Sequence, residues 1–356
     1  MKVLFPVLDF TRSGGMRVLS KIADGMIAQG HEVLFLAPDG SQDPYFPTTA
    51  PVLKYRVWLQ NIPVLRMLSK VLGMYLTLRK VKNDYDVVVA NYNITAFPVA
   101  MAIGRSGKGY YYIQAYEPEF YDEVDTLKAR LSTVLARFSY KLPLIQIVNA
   151  PMYRSYHEIS AKHVVEPGID LSVFRPRRKL WNDEEITVGC IGRKSQWKGT
   201  LEIIQAVASA REATGRNLQL KVAFELPETV DLASYSFVEL SSPHGDERLA
   251  EFYQSCDVFV ATGLIQDGAF HYPCIESMAS GCVVVSNYAP ANVVNSVQLS
   301  QVDANKIFNA LIEILKMPSA QRTNLVETAK NDVEEYSWSI ISSKIIEVFK
   351  VDGENR

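Results

Sequence analysis

The segment GRKSQWKG, which spans positions 192–199, is rich in basic residues, among them Arg193 and Lys198. The segment follows an apolar run, ITVGCIG, and precedes a predicted helix, so Arg193 and Lys198 are expected at the end of one strand. A guanidinium and an ammonium group at one strand end suit a diphosphate, whose negative charge needs compensation. A solvated basic loop would explain the same residues, and this segment alone leaves both interpretations open.

A second chemically promising segment, DGAFHYPCIESMASGCVVVS, covers positions 267–286. Its pattern predicts a loop, a helix from Cys274 to Ser280 and a buried strand. Glu276 would then lie in the first turn of the helix, where a carboxylate is electrostatically favoured and can accept ribose hydroxyls. His271 and Tyr272 precede the helix and would line the same site. The alternative is that Glu276 only caps its helix and Tyr272 only packs.

A pair of glycines, Gly14 and Gly15, lies between a predicted strand and a predicted helix near the start of the chain. Glycines at this place let a ligand approach the backbone, and the helix N-terminus favours a phosphate or another anion. The pair is not a GxGxxG fingerprint, which disfavours a dinucleotide site. A tight turn would need the same glycines.

The elements that must position these residues alternate between strand and helix along the chain. Such alternation predicts an α/β protein with doubly wound parallel sheets. A turn-rich, polar stretch divides it into two Rossmann-like domains, 1–175 and 176–330, followed by a C-terminal helix over 331–356 that packs back on the first domain. The two domains are expected to face each other across a cleft that holds the ligand at the strand ends.

Composition narrows the class of protein. The 356 residues include 48% hydrophobic and 21% charged residues, which excludes a disordered chain and a collagen-like repeat. A formal net charge of −2 argues against a general nucleic-acid binder. The four cysteines have no zinc-site spacing, so we expect no metal and a reduced, cytoplasmic location. The sequence has no pattern of a signal peptide or a membrane span.

Six segments, in this order, resemble the retaining GT-B glycosyltransferases of glycosyltransferase family 4. They are the early GG, GHEV, VEPGIDLSVFRP, GRKSQWKG, ERLAEFYQSCDVFVAT and PCIESMASGCVVVS. The last is similar to the family pattern P-x-x-E-A-M-A-x-G-x-P-V-V. The resemblance covers nearly the whole chain and implies a GT-B fold with two Rossmann-like domains.

The resemblance also implies roles for matched positions. Arg193 and Lys198 fall on the basic pair that holds the donor diphosphate, and Glu276 on the glutamate that holds the nucleotide ribose. Gly15, with Gly14 beside it, falls on the loop that closes over the donor. His271 and Tyr272 complete the expected donor-binding set.

The sequence departs from the family at two catalytic positions. Gly268 stands where the family has the first glutamate of its pair, and the neighbouring Asp267 is the candidate substitute. Gln114 takes the place of a histidine in the first domain, within YYYIQAYEPEFY. That string also resembles a subset containing rhamnosyltransferases of bacterial surface glycans. Glu117 and Glu119 are candidates to bind acceptor hydroxyls or to act as bases, unless they are solvated loop carboxylates.

Residues 51–83 contain seven Lys or Arg and no Asp or Glu. A helix is predicted from Ile62 to Lys82, with a polar stripe of Arg66, Lys70, Gly73, Thr77 and Lys80 opposite a row of leucines. With Arg79, these basic residues (Arg66, Lys70, Lys80) would meet an anionic membrane or a lipid-phosphate acceptor. The alternative is a helix packed on its own domain with its charges in water.

The residues and the resemblance together predict a metal-independent glycosyltransferase that needs no cofactor, and the resemblance implies a retaining reaction. The expected partners are a nucleoside-diphosphate sugar and a glycan or lipid-linked acceptor, in bacterial surface polysaccharide synthesis at the inner face of the cell membrane. Two alternatives remain. One is a GT-B sugar-nucleotide epimerase, and the other is a non-catalytic binding or scaffold subunit, motivated by Gly268.

Overall fold

The computed structural model describes residues 1–58, 62–122, 126–176, 181, 184–195 and 199–354. The chain forms two compact units. The first consists of Met1–Gly168 and Trp338–Arg356, and the second of Ile169–Ser337.

The sheet of the first unit is parallel and has the order β3-β2-β1-β4-β5-β6-β7 in its described residues. Its central strands are buried on both faces, which explains their nearly continuous apolar sequences. The strands are β1 (Lys2–Pro6), β2 (Glu32–Pro38), β3 (Val52–Tyr55), β4 (Val87–Ala90), β5 (Gly109–Ile113), β6 (Ile145–Val148) and β7 (His163–Val164).

Five helices connect or follow these strands: α1 (Gly14–Ala28), α2 (Pro63–Val81), α3 (Asn93–Ile103), α4 (Pro118–Asp122) and α5 (Leu127–Ser139). The crossover from β1 to β2 runs in the opposite direction to those from β3 to β4, β4 to β5 and β5 to β6. Because parallel crossovers are right-handed, α1 lies on one face of the sheet, whereas α2, α3 and α5 lie on the other. Consistent with this, α3 packs against both α2 and α5.

The second unit repeats the arrangement with the strand order β10-β9-β8-β11-β12-β13. Its strands are β8 (Glu185–Gly192), β9 (Asn217–Phe224), β10 (Val238–Ser241), β11 (Val258–Ala261), β12 (Val283–Ser286) and β13 (Val297–Gln298). Its helices are α6 (Thr200–Thr214), α7 (Asp246–Gln254), α8 (Tyr272–Ala279), α9 (Ala304–Lys316) and α10 (Ser319–Glu334). Buried apolar clusters lie on both faces of the sheet.

The last helix, α11 (Trp338–Glu354), returns to the first unit and packs against α1. Gly25 makes the close approach possible, since a Cβ at this position would overlap the Ser342 side chain. The C-terminal helix predicted over 331–356 corresponds to α11, which begins at Trp338 because residues up to Glu334 belong to α10 of the second unit.

The predicted fold class is confirmed, because both units are α/β with parallel, doubly wound sheets. The boundary between the units lies at Gly168, not at residue 175 as the turn-rich sequence indicated. Ile169 and Phe174 are buried in the apolar cluster of the second unit, which draws this segment into it. The polar composition indicated the region of the linker. The burial of Ile169 and Phe174 shows that this segment belongs to the second unit.

Candidate functional site

A cavity of about 250 Å³ lies in the second unit where β8 and β11 end and α8 begins. The chain leaves β8 toward β9 on one side, and β11 continues toward β12 on the other. This switch in strand order is where open α/β sheets bind ligands. The cavity has an apolar floor and a few polar groups, and it is lined by Ile191, Arg193, Ile203, Val260, Ala261, Thr262, Phe270, His271, Tyr272 and Pro273.

Arg193 supplies the positive charge in this cavity. Its backbone N–H donates to Thr200 Oγ1 at 3.1 Å, and its own Nη1 donates to the Gly192 carbonyl at 2.9 Å. The guanidinium carbon lies 5.3 Å from the centre of the Phe224 ring. Burial lowers the pKa of Arg193, while Glu225 acts in the opposite direction. A partly desolvated guanidinium that remains protonated at neutral pH is suited to bind an anionic ligand group.

The turn after β9 fixes the surroundings of Arg193. Phe224 has φ = +77°, a left-handed conformation that is unusual for an aromatic residue. A Cβ on Gly192 would overlap the Glu225 carbonyl oxygen, so only glycine lets this turn close over the end of β8. Strained backbone of this kind often lies beside functional groups. Phe224 escaped the sequence analysis because residue type alone does not reveal a positive φ.

The start of α8 forms another wall of the cavity. His271 precedes the helix, and its ring centroid lies 4.5 Å from that of Tyr288. Tyr272 and Pro273 form the first turn, whose N–H groups and dipole favour negative charge. Thr262, just after β11, is more than nine-tenths buried, and its hydroxyl has no hydrogen-bond partner among the described residues. Buried hydroxyls are usually hydrogen-bonded, so this hydroxyl is available to bind a polar group of a ligand in the cavity.

Glu276 lies deeper than the sequence indicated. The helix begins at Tyr272 because proline is compatible with its first turn, so Glu276 occupies the second turn. The predicted first-turn position is therefore wrong. Its side chain is only 2% exposed, and the Tyr253 hydroxyl donates to Glu276 Oε2 at 2.9 Å. Tyr253, which the sequence analysis missed, fixes the orientation of this carboxylate.

Asp267 lies on the loop between β11 and α8. It is exposed and is not one of the residues that line the cavity. Gly268 beside it has φ = +78° and donates its N–H to the Asn287 carbonyl. A glutamate at position 268 would be strained in this backbone conformation. Lys198, the predicted second donor-binding cation, lies outside the described residues.

The first unit brings Gly15 and Gln114 together, as expected for residues at the ends of β1 and β5. Gln114 Nε2 donates to the Gly15 carbonyl at 3.5 Å, and a Cβ on Gly15 would lie 3.2 Å from the same amide nitrogen. Gly14 begins α1, and the hydroxyl of Ser13 caps this helix. Gly15 thus gives Gln114 room to lie over the start of α1, whereas a Cβ on Gly14 would meet open space.

Glu117 is buried, with 8% of its surface exposed. Both carboxylate oxygens accept the Asn93 N–H at the start of α3, at 3.2 and 3.3 Å. Burial raises the pKa of Glu117 to about 8, and the hydrogen bond from Asn93 opposes this effect. A group with such a pKa exchanges protons near neutral pH, as a general acid or base must. Glu119 accepts the Tyr156 hydroxyl at 2.7 Å, so neither residue is a fully solvated loop carboxylate.

The helix predicted from Ile62 to Lys82 is present as α2, and two residues of its predicted polar stripe are buried in the first unit. Lys70 is buried, and its Nζ donates to the Leu8 carbonyl at 2.9 Å. Gly73 is buried as well, because a Cβ there would overlap the Arg56 carbonyl. The predicted polar stripe therefore faces the unit's interior at its centre. Arg66, Arg79 and Lys80 are exposed.

In the part of the chain that the structure describes, no group of three or more His, Cys, Asp or Glu side chains is arranged to hold a metal ion. No described helix is long and apolar enough to cross a bilayer.

Two doubly wound units, with a cationic cavity at the strand switch of the second, form the architecture that the resemblance to the GT-B class implied. Comparison with protein families agrees with this class. Residues 13–158 match the glycosyl transferase 4-like domain, and residues 185–317 match the glycosyl transferases group 1 domain. The chain is thus a glycosyltransferase of the GT-B fold, with one of these domains in each unit.

Solved structures with the same fold extend over the whole chain. The sucrose-phosphate synthase of Thermosynechococcus elongatus is 15% identical with a TM-score of 0.75, covering 100% of both chains. HepE of Anabaena, in complex with UDP and glucose, is 16% identical with a TM-score of 0.71, covering 99% of this chain and 100% of its own. WaaG, a glycosyltransferase involved in lipopolysaccharide biosynthesis, is 16% identical with a TM-score of 0.69, covering 98% and 99%. A comparison with curated protein sequences finds no match.

Proposed function

We propose that the protein transfers a sugar from a nucleoside-diphosphate sugar to a glycan or lipid-linked glycan acceptor. The observation that carries this proposal is the cavity in which the Arg193 guanidinium and the first turn of α8 meet at the strand switch. Both features attract the negative charge of a diphosphate. The complexes of HepE with UDP-glucose, and with UDP and glucose, support a donor of this kind.

In this proposal the second unit binds the donor. Arg193, together with Lys198, neutralises the diphosphate as it becomes the leaving group. The hydroxyl of Thr262 and the His271 side chain bind polar groups of the same ligand, and Glu276, oriented by Tyr253, accepts a ribose hydroxyl. This charge compensation by side chains is the basis for proposing that the reaction needs no metal.

The first unit binds the acceptor in this proposal. Glu117 is the candidate proton acceptor for the attacking hydroxyl, because its raised pKa keeps a proton exchangeable near pH 8. Gln114 and Asp267 are the further candidate catalytic residues. The family 4 resemblance supports a retaining reaction, and WaaG supports a role in bacterial surface polysaccharide assembly. The rhamnosyltransferase subset stays a prediction.

Nucleotide binding gives the first test. Titration calorimetry with UDP, dTDP, GDP and CDP should identify one nucleotide that binds, and Arg193→Ala should weaken its binding about 10- to 100-fold, as expected for a lost charged hydrogen bond. The matched control is Arg248→Ala, an exposed arginine of the same unit outside the cavity. If the parent and Arg193→Ala bind the nucleotide with equal affinity, the donor does not bind in this cavity.

Turnover separates the remaining interpretations. A transferase releases the nucleoside diphosphate much faster when an acceptor is present and forms a glycosylated product, whose anomeric configuration NMR determines. Conversion of the donor sugar without an acceptor would identify an epimerase. Binding without any turnover would favour a scaffold subunit, for which Gly268 is the structural reason. Full activity in EDTA is expected, and its loss would refute the metal-independent mechanism.

A further inference from the structure

Two helices of the first unit turn apolar stripes toward the solvent. On α2 the stripe consists of leucines spaced three or four residues apart, and on α5 it consists of Leu127, Leu131, Val134, Leu135 and Phe138. The exposed fraction reaches 61% for Leu68 and 85% for Leu127. In an ordinary amphipathic helix such a stripe faces the core. The core side of α2 holds Met74 and Leu78 together with Ser69, Lys70 and Gly73, so the exposed leucines form an additional apolar row on the other side of the helix.

The two stripes belong to one surface. Since α3 packs against both α2 and α5, the three helices form one layer on the same face of the sheet. The rings of Phe97 on α3 and Phe138 on α5 stack with centroids 6.2 Å apart, and Met101 of α3 is 64% exposed. We call this surface the apolar face, and it comprises Leu65, Leu68, Leu72, Leu76, Met101, Leu127, Leu131, Val134, Leu135 and Phe138.

The charged residues of α2, α3 and α5 are all basic. The sequences of α2, α3 and α5 contain no Asp or Glu, although the chain as a whole has 39 acidic residues and a net charge of −2. The exposed basic residues on α2 and α5 are Arg66, Arg79, Lys80, Lys128, Arg130 and Arg137. Arg137 also lies 3.6 Å from Glu158 Oε1. The apolar face is thus accompanied by positive charge along both helices.

We propose that the apolar face lies on a bilayer that contains anionic lipids. Aliphatic side chains combined with lysine and arginine match the boundary between acyl chains and anionic headgroups. A second copy of the chain is a poorer occupant, since a symmetric contact through this face would bring like charges together. In this mode of binding the helices lie parallel to the membrane surface, which agrees with the finding that no described helix can cross a bilayer.

The experiment is co-sedimentation of the full chain with vesicles of phosphatidylcholine alone or mixed with phosphatidylglycerol. We expect binding to the mixed vesicles that is at least tenfold tighter than to phosphatidylcholine alone and that decreases as salt increases. The result does not depend on the glycosyltransferase reaction, so its failure would leave the proposed function standing.

Two sets of substitutions test the two components of binding. Leu68→Gln, Leu72→Gln, Leu131→Gln and Val134→Gln together should weaken vesicle binding at least tenfold by removing apolar contacts. Arg66→Gln, Lys80→Gln and Lys128→Gln together should weaken binding to anionic vesicles about a hundredfold, since each charge contributes about fivefold.

The controls are in the second unit. Val293→Gln with Val294→Gln changes two exposed apolar residues, and Lys306→Gln with Lys316→Gln changes two exposed lysines. Both control variants should bind vesicles as the parent does, and an unchanged thermal transition shows that each variant is folded. Parent protein that stays in the supernatant with anionic vesicles at low salt overturns the proposal. Equal vesicle binding by the parent and by the variants with substitutions in the apolar face also overturns the proposal. Self-association that the leucine substitutions abolish would assign the face to a second copy.

Discussion

Glu117 gives the sharpest prediction for the pH dependence of stability. Its carboxyl group is buried beneath tyrosines, and burial raises its pKa from 4.5 to about 8. The folded protein therefore binds a proton at this group between these pH values, whereas the unfolded chain does not. The contribution of this proton to the free energy of unfolding is fully present below about pH 4.5. It decreases as the pH rises and is lost above about pH 8.

The size of the effect follows from the pKa difference. Each pH unit between the two values corresponds to about 1.4 kcal/mol, so the full change is about 5 kcal/mol. Between pH 5.5 and pH 9 we expect the free energy of unfolding of the parent to fall by about 3 kcal/mol relative to Glu117→Gln. The glutamine keeps an oxygen that can accept the Asn93 N–H but has no proton to lose in this range.

Urea unfolding of parent and variant at pH 5.5, 7 and 9, followed by circular dichroism, measures this difference. Subtracting the two free energies removes the titration of all other groups. Glu347→Gln is the matched control, because Glu347 is an exposed carboxylate on α11 of the same unit. Its difference from the parent should not change with pH. If the difference for Glu117→Gln is equally constant, the carboxyl group is not held in a protonated form and the reasoning is refuted.

Two further predictions concern packing around helices. Tyr253→Phe removes the hydroxyl that donates to the buried carboxylate of Glu276, so the free energy of unfolding should fall by about 1.5–3 kcal/mol in urea titrations; an unchanged value would mean that this hydrogen bond does not stabilise the fold. Gly25→Val places side-chain atoms in the space of Ser342 and should cost about 1–3 kcal/mol and speed hydrogen exchange along α11. Gly40→Val, at a position with open space, is the control, and equal exchange in both variants would contradict the close contact between α1 and α11.

Much of the fold could be predicted because its signals are local. Buried parallel strands require continuous apolar runs, and helices between them require a different period, so the alternation of the two was readable along the chain. The placement of candidate ligand-binding residues at strand ends followed in turn, since the strands of a parallel sheet end at one edge. Arg193, His271 and Tyr272 were found in this way, and the structure brings all three to one cavity.

Features that depend on contacts between residues far apart in the sequence could not be predicted. Thr262 has no distinguishing pattern, and its importance follows from a buried hydroxyl without a partner in the described structure. Phe224 depends on a backbone angle, and Glu276 is oriented by Tyr253, 23 positions earlier. Such contacts are formed by packing between elements, for which the local sequence provides no signal.

The amphipathic pattern of α2 could be predicted from its residues alone, because it follows from the helical period of 3.6 residues. It did not determine which side faces inward. The tertiary structure decided this through the Lys70 hydrogen bond to the Leu8 carbonyl and the close approach of the backbone at Arg56 to Gly73. Both contacts join segments separated along the chain, and with this packing Leu65, Leu68, Leu72 and Leu76 face the solvent, whereas Leu78 is buried.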